Sequence, residues 1–211
     1  FSNAFRIPEL RKKIFVTLAL VFVCRLVAQI PTPGVDWAAL NAIIERFRSN
    51  ESTLFSWFET FSGGALGQCS IGFLSIWPYI SAQIVIQLLS SIIPFLEKMK
   101  KEGESGRQQL AQITRYLTIV LCVMQSWGIA TVLSNPQMID PSLAGTVLVP
   151  NGGVGFHLMT VIGMTTASLF VMWLADQITT FGIGNGASLI IMINITSRLP
   201  DALQAAYTRY F

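Results

Sequence analysis

Charge is what this sequence has least of. Asp, Glu, Lys and Arg make up 12% of its 211 residues, while 52% are hydrophobic. Soluble domains carry about 25% charged residues, so the deficit excludes an ordinary soluble globule and points to an all-α polytopic membrane protein. Histidine occurs once, as His157, and cysteine three times, as Cys24, Cys69 and Cys122. An odd cysteine count with no CxxC spacing excludes a disulfide framework or a zinc site, and the three read as small buried hydrophobes. One histidine with no acidic cluster nearby offers neither a metal site nor a catalytic triad. No enzyme activity and no cofactor are expected. The net charge of +3 sits beside apolar runs, which membrane topology explains better than a nucleic-acid surface does. No internal repeat is present.

What the chain does have is one long uncharged stretch, residues 61–95. It opens on Gly63, Gly64 and Gly67 and then stays apolar long enough to cross a bilayer, with Pro78 inside it. Non-helical backbone at membrane depth is tolerated only inside protein or against a water-filled cavity. The stretch therefore reads as lining or plugging something.

Five candidate spans are expected, judged against the ~20 apolar residues a bilayer requires: about 14–30, 71–95, 112–133, 156–174 and 183–199. Arg25, near the end of the first, is placed to snorkel to the interface. Pro31, Pro33 and Gly34 then turn the chain. Residues 36–48 follow as an amphipathic external helix, with Asp36 as N-cap and Trp37, Leu40, Ile43, Ile44 and Phe47 on one face. Pro94 and the charged run from Glu97 to Lys101 end the second span.

With the N-terminus in the cytoplasm, Arg6, Arg11, Lys12, Lys13, Lys98, Lys100, Lys101, Arg107 and Arg115 are cytoplasmic. Those are nine of the fourteen Lys and Arg residues, as the positive-inside rule requires. An odd number of spans would give two tandem five-span units opposite orientations, the parity of an inverted-repeat channel or transporter. The absence of a repeat within these residues fits a single half of such a protein.

Four groups of residues are candidates for function. Ile76, Ile80 and Ile84 recur every four positions and would share a helix face, as packing or as a bulky, dewetted constriction. Gln83, Gln87 and Ser90 form a polar stripe beside them, suited to helix–helix hydrogen bonding or to a seam that opens. The loop bearing Lys98, Lys100, Lys101 and Arg107 is a solvated basic loop or a surface for anionic lipid or a cytosolic partner. Gly182-Ile183-Gly184-Asn185-Gly186 lacks the preceding strand and following lysine of a phosphate loop and reads as a tight turn with close helix packing. Asp176, the one acid near the fourth span, suits a helix end or, in an ion-coupled secondary transporter, a proton site.

The motifs Phe61-Ser62-Gly63-Gly64-Ala65-Leu66, Pro78-Tyr79-Ile80-Ser81-Ala82, Gln87-Leu88-Leu89, Lys101 to Arg107, Thr114-Arg115-Tyr116 and Gly182 to Gly186 occur in this order. Together they resemble the N-terminal half of the SecY family, the channel subunits of the bacterial Sec translocon, from about Phe5 to Pro200. The resemblance implies helices one to five of a ten-helix clamshell with an hourglass pore. Phe61, Ser62, Gly63, Gly64, Ala65, Leu66, Gly67, Gln68, Cys69 and Ser70 would form the external plug. Ile76, Ile80 and Ile191 would belong to the hydrophobic pore ring, with Ile84 just beyond. The second and third helices, with Gln83, Gln87 and Ser90, would form one side of the lateral gate. Cys69, Ala187 and Gln83 depart from the residues expected at those places. The implied partners are the second half of the channel, SecE- and SecG-type small subunits, a SecA motor or ribosome, signal sequences, translocating polypeptides and the lipid bilayer. The implied location is the bacterial cytoplasmic membrane.

Overall fold

The computed structural model describes residues 8–36, 39–41, 44, 69–101, 103–138, 148–150, 152–197, 200 and 207. They form an all-α membrane fold. Six helices follow in order: α1 Pro8–Ala28, α2 Trp77–Ile92, α3 Pro94–Lys101, α4 Glu104–Ser134, α5 Val154–Phe181 and α6 Gly186–Thr196. A 3-10 turn, Pro136–Met138, follows α4. Among the described residues, the only β-type pairing is an isolated antiparallel bridge between Pro31 and Ser70.

α4 and α5 are long and apolar enough to cross a membrane, and α2 with α3 makes a third span if the bent pair counts as one. α1 is long enough, but Arg11, Lys12, Lys13 and Arg25 confine its uncharged run to the residues between. α6 has eleven residues, about 16 Å at 1.5 Å per residue, and is shorter than the expected fifth span.

The second span, expected over 71–95 with Pro78 breaking it, is built from turns and two helices. Residues 71–76 are a series of turns. α2 begins only at Trp77, with Pro78 in its first turn, where a missing N–H costs nothing. After Ile92 the chain bends by 101° into α3. Pro94 cannot continue the hydrogen-bond ladder of α2, yet it opens the next helix well. Leu96 and Met99, three apart, are buried and seat α3 on α4. The expected basic loop is therefore mostly helix. Lys98, Lys100 and Lys101 are exposed on α3 and Arg107 lies in the first turns of α4, the two joined at Gly103 with φ +78°.

Helix packing is carried by a stripe of small residues. Thr114, Thr118, Cys122, Ser126 and Ala130, spaced by four along α4, are all buried. On α5, Thr160, Ala167 and Ser168 are buried among larger residues such as Met164 and Val171. Lipid tails are as apolar as leucine, so helices in a membrane gain little from hydrophobicity. They associate through close van der Waals contact, which small side chains permit. Thr118 Oγ1 donates to the Thr114 carbonyl at 2.7 Å and Ser126 Oγ to the Cys122 carbonyl at 2.6 Å, so these hydroxyls are satisfied within their own helix.

α5 is the hub. It packs against α4, α1 and α6, while α2 packs on α4. One core cluster joins Leu40 and Ile44 to Ala130, Leu133, Leu148, Val149 and Phe156. The amphipathic segment after Asp36 thus rests its Leu40–Ile44 face on the protein. Trp37, Ile43 and Phe47 lie outside the described residues.

Candidate functional site: an aliphatic cluster and its supports

A second core cluster contains Ile76, Val27, Ala167, Val171, Ala175, Ile178, Ala187 and Ile190, with Ile80 and Ile191 packed against it. Ile76 and Ile191 are over a hundred positions apart in sequence, and the fold brings them into one group. Ile76 is buried and stands at the N-cap of α2, just ahead of the helix. Ile80 follows one turn later, with its N–H bonded to the Ile76 carbonyl at 3.1 Å. Ile80 and Ile191 are half-buried. Ile84, a further turn along α2, lies outside the cluster and is 52% exposed.

The polar stripe of α2 is divided between environments. Gln83 is half-buried and Gln87 exposed. Ser90 is buried, and its hydroxyl donates to the Gln87 carbonyl at 2.7 Å. Beside the two glutamines runs an exposed apolar edge, Ile84, Val85, Leu88 and Ile92.

The turns entering α2 are anchored to the end of α1. The Thr32 N–H and hydroxyl both donate to the Cys69 carbonyl, and the Ile71 N–H donates to the Ile30 carbonyl at 3.0 Å. Ser70 Oγ lies 3.4 Å from the Val27 carbonyl and accepts from the Gly72 N–H at 3.0 Å. Gly72 is needed because a Cβ there would sit 3.0 Å from Ala28 Cα. Of the plug expected over residues 61–70, only Cys69 and Ser70 are described. Phe61, Ser62, Gly63, Gly64, Ala65, Leu66, Gly67 and Gln68 lie outside the described residues.

Gly182-Ile183-Gly184-Asn185-Gly186 is a turn that seats α6 on α5. Gly184 has φ +74°, Asn185 caps α6 by accepting from the Ser188 N–H, and the Gly186 N–H donates to Thr179 Oγ1 at 2.8 Å. A Cβ on Gly186 would lie 2.0 Å from the Ala175 carbonyl oxygen, so the close packing read from the sequence holds.

Two polar contacts were not legible in the sequence. Arg25 reaches α6. It is half-buried, and its Nη2 donates to the Ile193 carbonyl at 2.7 Å. Asp176 is tied to Arg115, Nη2 to Oδ2 at 2.7 Å. The spacing of single residues gives no hint of either partner. The arginine inside an apolar run was the one signal that a partner was needed. His157, in the first turn of α5, faces Trp127 with ring centroids 5.5 Å apart. A cleft of about 480 Å³ lined by Glu9, Lys12, Lys13 and Trp173, among others, opens between α1 and α5, lined by none of the isoleucines.

The arrangement offers a bulky aliphatic group at the start of α2 and within α6, next to turns hydrogen-bonded to the end of α1.

The SecY family model matches residues 70–210. The protein translocase subunit SecY of Escherichia coli K12 is 45% identical over 195 residues, covering 92% of this chain and 42% of that protein. The same-named subunit of Streptomyces scabiei is 42% identical over 203 residues, 96% of this chain and 46% of its own length. That of Corynebacterium glutamicum is 42% identical over 198 residues, 94% and 44% respectively. The chain spans less than half the length of these curated relatives.

Proposed function

The chain belongs to the SecY family, and from that we propose that it is the N-terminal half of a protein-conducting channel in the bacterial cytoplasmic membrane. Unfolded secretory chains would pass through it and membrane proteins would leave it sideways into lipid. The observation that carries this reading is the convergence of Ile76, Ile80 and Ile191 in one aliphatic cluster at the entrance of α2 and within α6. Bulky aliphatic side chains around a narrow path oppose water and ions without binding them. Ile84, more exposed, would continue the lining.

α2 and α4 would form one side of the seam. Gln83 and Gln87 give it polar groups that rest poorly against lipid, and the exposed Ile84–Ile92 edge would receive a signal sequence. Ser90 would support this seam from within. The plug, residues 61–70, would swing from its root at Cys69 and Ser70, which the hydrogen bonds to residues 27–32 hold in place. Five spans with the N-terminus inside would put Lys98, Lys100, Lys101 and Arg107 at the cytoplasmic face, toward a SecA-type motor or a ribosome. The second half of the channel would complete the ring, and SecE- and SecG-type subunits would brace it. The driving force comes from the motor or ribosome, and no residue here performs covalent chemistry. An ion-coupled transporter finds no support: the matched relatives are translocase subunits, and Asp176 is engaged by Arg115.

The test is site-specific crosslinking in the full-length channel. Single cysteines at Ile80 and Ile191, with the native cysteines removed, are probed against a secretory chain stalled midway. Crosslinks from both positions, lost on release of the chain, are expected. Silence at both, with crosslinks only from outward faces of α2, returns the isoleucines to core packing.

A further inference from the structure

α6 carries Ile191 on a helix of only eleven residues. Its end is held by two side chains from elsewhere in the fold. The Ile193 carbonyl accepts twice: from the Ser197 N–H at 3.0 Å, the closing bond of the helix, and from Arg25 Nη2 at 2.7 Å. One position on, Asn194 is 8% exposed, and its Nδ2 donates to Ser75 Oγ at 3.4 Å. Ser75 stands at φ +46°, in the left-handed region that residues other than glycine enter at a cost. It directly precedes Ile76.

The chemistry favours a firm tie. A carbonyl oxygen has a second lone pair free for the guanidinium, and that end carries the negative pole of the helix dipole, which a cation stabilises. Arg25 stays charged. Its charge lies inside an apolar run, where it is costly unless paired. The surroundings are partly buried, so the hydrogen bond is stronger than in water.

We propose that Arg25 and Asn194 are positioning residues for the aliphatic ring. Arg25 ties the end of α6 to α1, and Asn194 ties it to the turn that presents Ile76. Ile193 and Asn194 lie two and three residues beyond Ile191. The two ties therefore hold Ile191 at the cluster that contains Ile76 and seats Ile80, and through that placement they set how tightly the resting channel excludes ions. The inference rests on the channel reading above. It adds that the seal depends on a cation outside the ring.

The experiment uses the full-length channel in planar bilayers. Arg25→Gln and Asn194→Leu are expected to raise resting ion conductance several-fold while a secretory chain is still translocated. Arg25→Lys, which keeps a charged donor, restores most of the seal. In parallel, a cysteine pair replacing Ile76 and Ile191 reports their spacing through its oxidative crosslinking yield. That yield falls in the Arg25→Gln background and recovers with Arg25→Lys, a pattern that a general loss of stability does not produce. If Arg25→Gln fails to accumulate, Asn194→Leu carries the same test. Ile191→Asn is the control. Leak from Ile191→Asn with none from Arg25→Gln or Asn194→Leu overturns the tie and spares the channel reading. Silence in all three overturns the channel reading, and the tie with it. Arg25→Lys as leaky as Arg25→Gln also overturns the tie.

Discussion

Arg115 and Asp176 face each other across the α4–α5 interface, 2.7 Å apart, with the arginine side chain 52% and the aspartate side chain 27% exposed. An ion pair this open contributes little, about 0.2–1 kcal/mol in double-mutant cycles of exposed pairs. Arg115→Ala and Asp176→Asn should each lower stability by no more than about 1 kcal/mol, with a coupling energy of the same size. Thermal unfolding of the two single variants and the double variant in detergent checks this. A proton-coupling role for Asp176 would instead make Asp176→Asn abolish transport with no change in stability.

The small-residue stripe of α4 makes a sharper prediction. Cys122 is fully buried between Thr118 and Ser126 on the packed face. Cys122→Leu forces extra volume into a close helix contact and should cost about 1–3 kcal/mol. Cys122→Ala should be tolerated. The unfolding midpoints of the two variants should separate clearly. Equal midpoints would mean that α4 and α5 are not held by close approach.

Gly186 is more restricted still. An added Cβ would lie 2.0 Å from the Ala175 carbonyl oxygen, and the nearest atoms are all Ala175 backbone, with no flexible side chain to give way. Gly186→Ala should displace α6 from α5 and cost at least as much as ordinary overpacking, about 1–3 kcal/mol. Gly128→Ala, where a Cβ meets nothing, should be neutral. Folded yield and thermal stability of the pair provide the comparison.

Within the aliphatic cluster, polarity should matter more than volume. Ile80→Asn places an amide where the channel reading requires a dewetted gap, so resting conductance in planar bilayers should rise. Ile80→Leu should leave it near the starting level. Unchanged conductance for Ile80→Asn removes Ile80 from the ring.

On α3, Lys101 Nζ lies 2.6 Å from Glu97 Oε1, and this hydrogen bond holds the Glu97 carboxyl below its ordinary range. A depressed carboxyl pKa contributes stability above the ordinary carboxylate range, and that contribution is lost as pH falls through the lowered value. Carbon-detected titration of Glu97 should give a midpoint below that of an isolated glutamate. Lys101→Met should return the midpoint to the ordinary range.

Much of this architecture is legible in the chain itself. Scarcity of charge and long apolar runs give helices in a membrane, because backbone groups deprived of water must bond within their own segment. Pro78 and Pro94 mark the start of α2 and of α3, since proline fixes φ and lacks an N–H wherever it stands. The glycines at 182–186 give a tight turn for an equally local reason. The isoleucine spacing within α2 puts Ile80 and Ile84 on one helix face. Only the tertiary structure decided which isoleucines share a cluster: Ile76, Ile80 and Ile191 do, while Ile84 does not. It alone brought Arg25 to α6, gave Asp176 its arginine, and made the small residues of α4 a packing face. Helix periodicity is a property of neighbours a few positions apart. Pairing across more than a hundred positions depends on how whole helices cross, and no local pattern encodes that.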